Sequence, residues 1–269
     1  MNLRFLGTGT SFGIPVIGCR CAVCNSADSR NRRTRHGLVL EAGDRRLLVD
    51  TPPELRLQLL AADIDRVDAV FLTHPHADHL HGIDDLRAFT GHDESGIPLH
   101  LAAEHVAEVR TRFSYFLGPE PSRQPGTVVP SLELTPFDDR DQVDAADFDL
   151  RVIAFPHGAY RSYGFRCGDL SVIVDAKRVP DDAWGLLEGS RVLVLNALWF
   201  GSPHPAHFNV EQALEVIERV GPDRALLTHL THRLDHAALN ERLPQGVEAV
   251  SYTHLRAHET NNSISYAVF

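Results

Sequence analysis

Apolar residues along this chain gather in short runs, each closed by glycine, proline or a charged turn residue. Leu3 to Leu6, Leu38 to Glu41 and Leu47 to Val49 are runs of this kind and predict strands, with Asp50 closing the third. Past Pro52 and Pro53, Leu55, Leu59 and Leu60 recur at helical spacing. Ala69 to Leu72 is again a buried-strand run, and it delivers Thr73 and His74 at its C-terminal end. A short strand from Leu99 and a helix through Val106 and Val109 come next. An irregular stretch from about Tyr115 to Pro136, rich in Pro, Gly and Ser, suits either a lid or a subunit contact, so a homodimer stays open as the assembly.

The second half predicts strands at Leu150 to Phe155, Ser162 to Arg166, Ser171 to Val174 and Val192 to Leu195, with a helix near Asp182 to Leu187. From Val210 to Val220 a helix places Ala213, Leu214, Ile217 and Val220 on one face. Ala225 to Thr228 then repeats the device of the first half, a buried strand ending in Thr-His, here Thr228-His229. Strands followed by helices in each half predict two packed sheets with helices outside.

Composition narrows this picture. A chain of 269 residues with 43% hydrophobic content fits one domain. The formal charge of -10 disfavours broad electrostatic capture of nucleic acid, so no nucleic-acid partner is expected. A small anionic substrate would then depend on local positive charge, which bound metals supply. No run is long and apolar enough to span a bilayer, and the expectation is a cytoplasmic protein without a membrane partner. Four cysteines are too few for a disulfide scaffold, and three of them crowd into Cys19-Arg20-Cys21-Ala22-Val23-Cys24, a spacing that suggests a metal site. Cys167 stands alone and reads as a small core residue.

The segment His74-Pro75-His76-Ala77-Asp78-His79 sets four metal-capable side chains on a loop at a strand end. Imidazole and carboxylate donors suit zinc, manganese or iron, and His74 and His76 can grip one ion while Asp78 and His79 turn toward a second. The plain alternative is a solvated histidine-rich loop. His157, Asp175 and His229 each follow a buried run, where a side chain faces a cleft or merely caps a turn. Asp50, also at a strand end, suits a carboxylate that orients a metal-bound imidazole.

The His-x-His-x-Asp-His segment with its downstream single residues resembles the metallo-β-lactamase superfamily, over Gly7-Thr8-Gly9-Thr10-Ser11 to about Val247. The resemblance implies an α/β (α+β) fold, a four-layer αβ/βα sandwich spanning residues 1–250. It implies two catalytic divalent metals, Mn2+ or Zn2+. One would be held by His74, His76 and His157 and the other by Asp78, His79 and His229, with Asp175 bridging. Gly18-Cys19-x-Cys21-x-x-Cys24, with His232 three residues after His229, is similar to the structural zinc site of the phosphoribosyl cyclic phosphate phosphodiesterases of phosphonate breakdown. Three thiolates and one imidazole would close that shell around one structural Zn2+, leaving no position for chemistry.

The same likeness implies that His207 is a general acid outside the metal shell, with His204 its rival, and makes His207 and Asp78 the candidate catalytic residues. The expected reaction is hydrolysis of a small anionic phosphodiester, best matched by phosphoribosyl 1,2-cyclic phosphate giving ribose 1,5-bisphosphate. Two alternatives stay open, an oxygen-dependent metalloenzyme like the quinone-cofactor-biosynthesis branch and a zinc-stapled binding module without catalysis. Metal counting separates the module from the hydrolase. The basic run Arg30 to Arg35 suits either substrate phosphates or plain solvation. Residues 251–269 lack strand alternation and are expected to form a non-native or disordered tail.

Overall fold

The computed structural model describes residues 1–90, 96–118 and 127–251, together with a strand at 254–256. Strands β1 (Asn2–Gly7), β2 (Gly37–Ala42), β3 (Arg45–Val49), β4 (Ala69–Phe71), β5 (Ile97–Ala102) and β6 (Leu132–Phe137) belong to one sheet. Strands β7 (Gln142–Ala145), β8 (Phe148–His157), β9 (Tyr160–Cys167), β10 (Leu170–Ile173), β11 (Val192–Asn196), β12 (Arg224–Thr228) and β13 (Val247–Ala249) form the other, and β14 (His254–Arg256) returns to pair with β1. The orders are β14-β1-β2-β3-β4-β5-β6 and β13-β12-β11-β10-β9-β8-β7. Helices α1 (Leu55–Ala61), α2 (Ala77–Leu80), α3 (Arg87–Thr90), α4 (Val106–Arg112) and α5 (Ser114–Leu117) lie in the first half; α6 (Trp184–Leu187), α7 (Val210–Val220) and α8 (His236–Arg242) lie in the second.

Side chains of a strand alternate between its two faces. Leu38, Leu40, Leu47, Val49 and Phe71 therefore point into the space between the sheets, where they meet Val152, Ala154, Phe165, Val172, Val194 and Leu226. Their neighbours Val39, Leu48, Val70 and Leu72 turn outward onto Leu55, Leu59, Leu80 and Val109 of the first helical layer. On the other side Ile153, Phe155, Ile173, Leu193, Leu195 and Leu227 pack against Val210, Ala213, Ile217 and Leu239. Both faces of each sheet are covered, so the central strands read as unbroken apolar runs. The result is the four-layer αβ/βα sandwich.

Helix α7 runs over the predicted residues and is closed by a capping box between Asn209 and Gln212 and by Gly221 at φ +65°. Its buried stripe is Val210, Ala213, Val216 and Ile217, shifted from the expected one because Leu214 and Val220 are only partly covered. The stretch expected to be irregular to Pro136 contains strand β6, while residues 119–126 of it lie outside the described residues. The expected tail at 251–269 lies mostly outside them as well; within it His254–Arg256 pairs antiparallel with β1.

The basic run is solvated only in part: Arg30 and Arg32 are exposed, whereas Arg33 is buried and Arg35 half-buried. Arg33 is 1% exposed, donates to Thr8 Oγ1 (2.8 Å), to the Val250 carbonyl and toward His236 Nδ1 (3.0 Å), and so ties the N-terminal loop to the end of the second sheet. Arg35 pairs with Glu54 (2.6 Å) and Arg30 with Asp28 (2.8 Å). Gly7 is required by close approach, since a Cβ there would stand 1.9 Å from the Arg35 carbonyl oxygen.

Candidate functional site

The site lies where the parallel strands of both sheets end. β3 pairs in parallel with β4, and β10, β11 and β12 run parallel to one another. Asp50 follows β3, His74 follows β4, Asp175 follows β10 and His229 follows β12, while His157 is the last residue of β8. The crevice beyond the carboxyl ends of parallel strands is the usual ligand position in such sheets. Asp50, Asp175 and His229 have φ of 64°, 56° and 57°. Non-glycine residues avoid this left-handed region at a cost of order 1–3 kcal/mol each, and keep it where a site needs the side chain aimed. Cross-links between the layers hold the geometry: Tyr163 N–H donates to the Thr73 carbonyl (2.9 Å) and Leu230 N–H to the Thr8 carbonyl (2.9 Å).

Two donor groups share one carboxylate. His74, His76, His157 and Asp175 form the first; Asp78, His79, Asp175 and His229 form the second; within each, the donor atoms lie within 4.8 Å of one another. Asp175 Oδ2 is 3.6 Å from His74 Nε2, 3.7 Å from His157 Nε2 and 3.3 Å from His79 Nε2, and its Oδ1 is 3.1 Å from His229 Nε2. The structure thus brings together all seven residues expected around the catalytic metals.

Hydrogen bonds behind the rings decide which nitrogens face inward. His79 Nδ1 donates to Asp50 Oδ2 (2.6 Å), and His157 Nδ1 donates to the Ala206 carbonyl (2.9 Å). Thr73 Oγ1 donates to Asp50 Oδ2 (3.0 Å), and so accepts from His74 Nδ1 (3.0 Å). The Nε2 atoms of His74 and His157 therefore carry lone pairs, and both face His76 Nδ1. His74 Nε2 stands 2.9 Å, and His157 Nε2 3.1 Å, from His76 Nδ1. At these separations the three nitrogens can converge on one cation. His79 Nε2, His229 Nε2 and Asp175 Oδ1 are also buried without a hydrogen-bond partner among the described residues. Orphaned buried polar atoms are costly and uncommon, and a metal ion at each group would satisfy them.

Electrostatics agree. Burial opposes charge on His79, yet Asp50, Asp78 and Asp175 around it raise its pKa well above the ordinary value. Burial also opposes ionisation of Asp78 and Asp175, but the surrounding imidazoles hold both carboxyls well below the usual range. Burial and His79 push His74 down, and burial takes His157 down to about 4, which keeps both neutral and able to ligate. The pocket demands positive charge at its centre.

A second donor cluster joins Cys19, Cys21, Cys24 and His232. Tetrahedral zinc, with bonds of about 2.3 Å to sulfur and about 2.0–2.1 Å to nitrogen, implies S···N separations of about 3.5 Å. The observed separations from His232 Nδ1 are 3.3, 3.5 and 3.5 Å. The four residues therefore fit one zinc ion with no open position.

His207 lies outside both groups, with Nε2 3.3 Å from Asp175 Oδ2 and its ring 5.1 Å from His229. His204 is its neighbour, Nδ1 to Nδ1 at 3.1 Å, and does not reach Asp175. Three further residues support the site, and the chain pattern assigns none of them a role. His36 is fully buried with its ring 5.9 Å from His79 and Nδ1 3.2 Å from Thr228 Oγ1; Tyr160 packs edge-on against His76 at 4.8 Å; Thr73 links His74 to Asp50. Only Thr73 sits in a motif; the other two come from loop or strand sequence without recognisable spacing.

Comparison with known proteins agrees with this geometry. The model of the beta-lactamase superfamily domain matches residues 45–230. A crystal structure of a diphosphatase from the PhnP family superposes with a TM-score of 0.86 at 30% identity, covering 95% of this chain and 97% of that one. Zinc-bound PqqB from Methylobacterium extorquens shares the fold, with a TM-score of 0.77 at 16% identity over 95% of this chain and 100% of that one. A protein of Porphyromonas gingivalis W83 named octanoyltransferase is 36% identical over 244 residues, 90% of this chain and 47% of its own length. The chain spans about half the length of the curated relatives it matches. It belongs to the metallo-β-lactamase superfamily and has the fold and donor sites of a metal-dependent hydrolase.

Proposed function

We propose that this chain is a phosphodiesterase that uses two divalent ions, Mn2+ or Zn2+, to open a small cyclic phosphodiester. Phosphoribosyl 1,2-cyclic phosphate is the favoured substrate and ribose 1,5-bisphosphate the product. The observation that carries the reading is His207, an imidazole outside both donor groups whose Nε2 stands 3.3 Å from the carboxylate they share. A proton donor at that place meets an oxygen leaving phosphorus. The 30% identity to the PhnP-family diphosphatase supports phosphorus chemistry over lactam or thioester chemistry.

His74, His76 and His157 would hold one ion, Asp78, His79 and His229 the other, with Asp175 common to both. Bound there, two ions supply charge that offsets the negative charge gathering on the phosphoryl oxygens and activate water. Asp50 fixes His79 through Nδ1, and Thr73 fixes His74, so both rings keep one orientation. Asp78 is too weak a base to keep a proton, yet its carboxylate can accept a hydrogen bond that orients the attacking water. Ala206 N–H donates to His204 Nδ1 (3.1 Å), so His207 Nδ1 must donate to that same atom; this leaves Nε2 of His207 to deliver the proton. Cys19, Cys21, Cys24 and His232 would hold a structural zinc.

Octanoyl transfer belongs to a relative more than half of which has no counterpart here, and neither donor group around Asp175 contains a cysteine. The test is a substrate panel with defined Mn2+ or Zn2+, comparing cyclic ribose phosphates, linear phosphodiesters, diphosphates, thioesters and lactams. Fastest turnover of the cyclic ribose phosphate is expected. Thioester turnover without phosphodiester turnover would overturn the reading, and a single zinc per chain with no turnover would return the chain to a binding module.

A further inference from the structure

The two rims of the site differ in charge. On the His76 side a cleft of about 490 Å³ is lined by Glu104, His105, Glu108, Tyr160 and Arg161, among others. Its cations are already matched: Arg161 pairs with Glu104 at 2.7 Å, and Arg112 pairs with Glu108 while also holding the Pro75 carbonyl. Glu104 further accepts from Tyr163 Oη at 2.7 Å. With each carboxylate matched by an arginine, this rim has no spare positive charge for a second anion and suits hydroxyl groups.

The His207 side is the reverse. Lys177 is the chain's single lysine. Its backbone is pinned just past Asp175, because Lys177 N–H donates to the Pro156 carbonyl (2.9 Å) and Ala176 is held by Asn196 (2.9 Å) and Phe208 (2.9 Å). The ammonium donates to Gln212 Oε1 (3.1 Å) and has no carboxylate partner among the described residues. Gln212 Oε1 also accepts from Asn209 N–H (3.3 Å), which sets the ammonium beside the segment that carries His204 and His207; burial, then His207, then Lys177 lower the pKa of the His204 ring. Since Ala206 N–H and His207 occupy His204 Nδ1, the hydrogen of His204 is on Nε2, which has no partner among the described residues. Trp199 flanks the same ring at 5.6 Å.

We propose that Lys177 and His204 Nε2 form a second anion subsite, which takes a phosphate carried by the substrate on the sugar beyond the reacting phosphodiester. The proposal rests on the phosphodiesterase reading and adds what distinguishes a bisphosphorylated product from a simple ring-opened one. The expected selectivity is for cyclic ribose phosphates that carry a 5-phosphate over those that do not.

The test measures the ratio of kcat/KM for the two cyclic substrates, with and without the 5-phosphate, in the metal-loaded full chain. Lys177→Met should lower that ratio about tenfold or more, the size of a charge-assisted hydrogen bond. Gln212→Glu, which pairs the ammonium in place, should lower it in the same direction without touching Lys177. Binding of ribose 5-phosphate by calorimetry should weaken in step. An unchanged ratio in both variants, or equal affinity of wild type and Lys177→Met for ribose 5-phosphate, overturns the subsite. Failure of the wild type to open any phosphodiester overturns the phosphodiesterase reading instead, while the calorimetry still decides whether the anion subsite exists.

Discussion

Around Asp175 the donors are mostly buried imidazoles and carboxylates from strand ends and helix α2, with Asp175 and His229 aimed by backbones held at positive φ. Around His232 they are three cysteines from one N-terminal loop and a histidine from the loop after β12, with Cys19, Cys21 and His232 only half-buried. The first cluster is a rigid cradle made by the whole sandwich and leaves bare atoms facing a cleft. The second is a knot between two loops whose four donors fill a tetrahedron. Rigid strands suit a site that must present an open coordination position, whereas a loop needs the metal itself to become rigid.

Removing the shared carboxylate should break this contrast most sharply. Asp175→Ala is expected to lower kcat/KM on the order of 10³-fold and to release both catalytic ions while the cysteine-bound zinc stays, as read by elemental analysis; retention of all the metal would refute the shared role. Next, His207→Ala should reduce turnover of an alkyl phosphodiester by about 10²-fold or more with metal content unchanged, and reduce an aryl diester less because its leaving group needs less protonation. Equal losses on both esters would remove His207 as the acid.

Asp50→Asn should weaken metal affinity at the second group by about 10–100-fold, measured by chelator competition, because the Nδ1 hydrogen bond of His79 loses its charged acceptor. Cys21→Ser should do the converse of Asp175→Ala. It should lose the structural zinc and lower the melting temperature by several degrees, at about 2–4 °C per kcal/mol, with turnover by the folded fraction changed less than threefold, about the smallest change worth reading.

The smallest effect is in pH. The Cys24 backbone N–H, foremost among the causes, holds the Cys21 thiol down at about 6 against its ordinary 9.0. A lowered acid pKa favours the folded thiolate above 9 and loses that advantage as pH falls through about 6. Zinc release from the cysteine cluster should therefore rise below about pH 6, followed with a colorimetric zinc indicator. Release that is flat from pH 8 to pH 5 would contradict a thiolate-dependent site.

The chain pattern revealed the centre of each sheet and concealed the edges. β1 to β5 and β8 to β12 are apolar runs because both of their faces are covered. β6, β7, β13 and β14 close the two sheets, and each was unreadable in advance. β6 carries Pro136 and buries only Phe137, while β7 reads Gln-Val-Asp-Ala and buries only Ala145. An edge strand is paired on one side and half solvated, so its residues need no alternation and tertiary contact alone makes it a strand. The metal donors were legible for the opposite reason: His74, His157, Asp175 and His229 stand at the ends of central strands, and His76, Asp78 and His79 follow His74 within one motif. His36, Tyr160 and Lys177 reach the site from segments whose placement depends on the packed sandwich, which no local spacing encodes.

Left-handed Asp50, Asp175 and His229 bear on how this molecule would change under selection. Glycine at any of the three would relax the backbone and remove a chemical group at once. A population of variants screened for heat resistance alone should drift toward glycine or asparagine there, becoming hardier and inert. Asp, Asp and His at those corners each supply a donor atom or a hydrogen bond that glycine would lack.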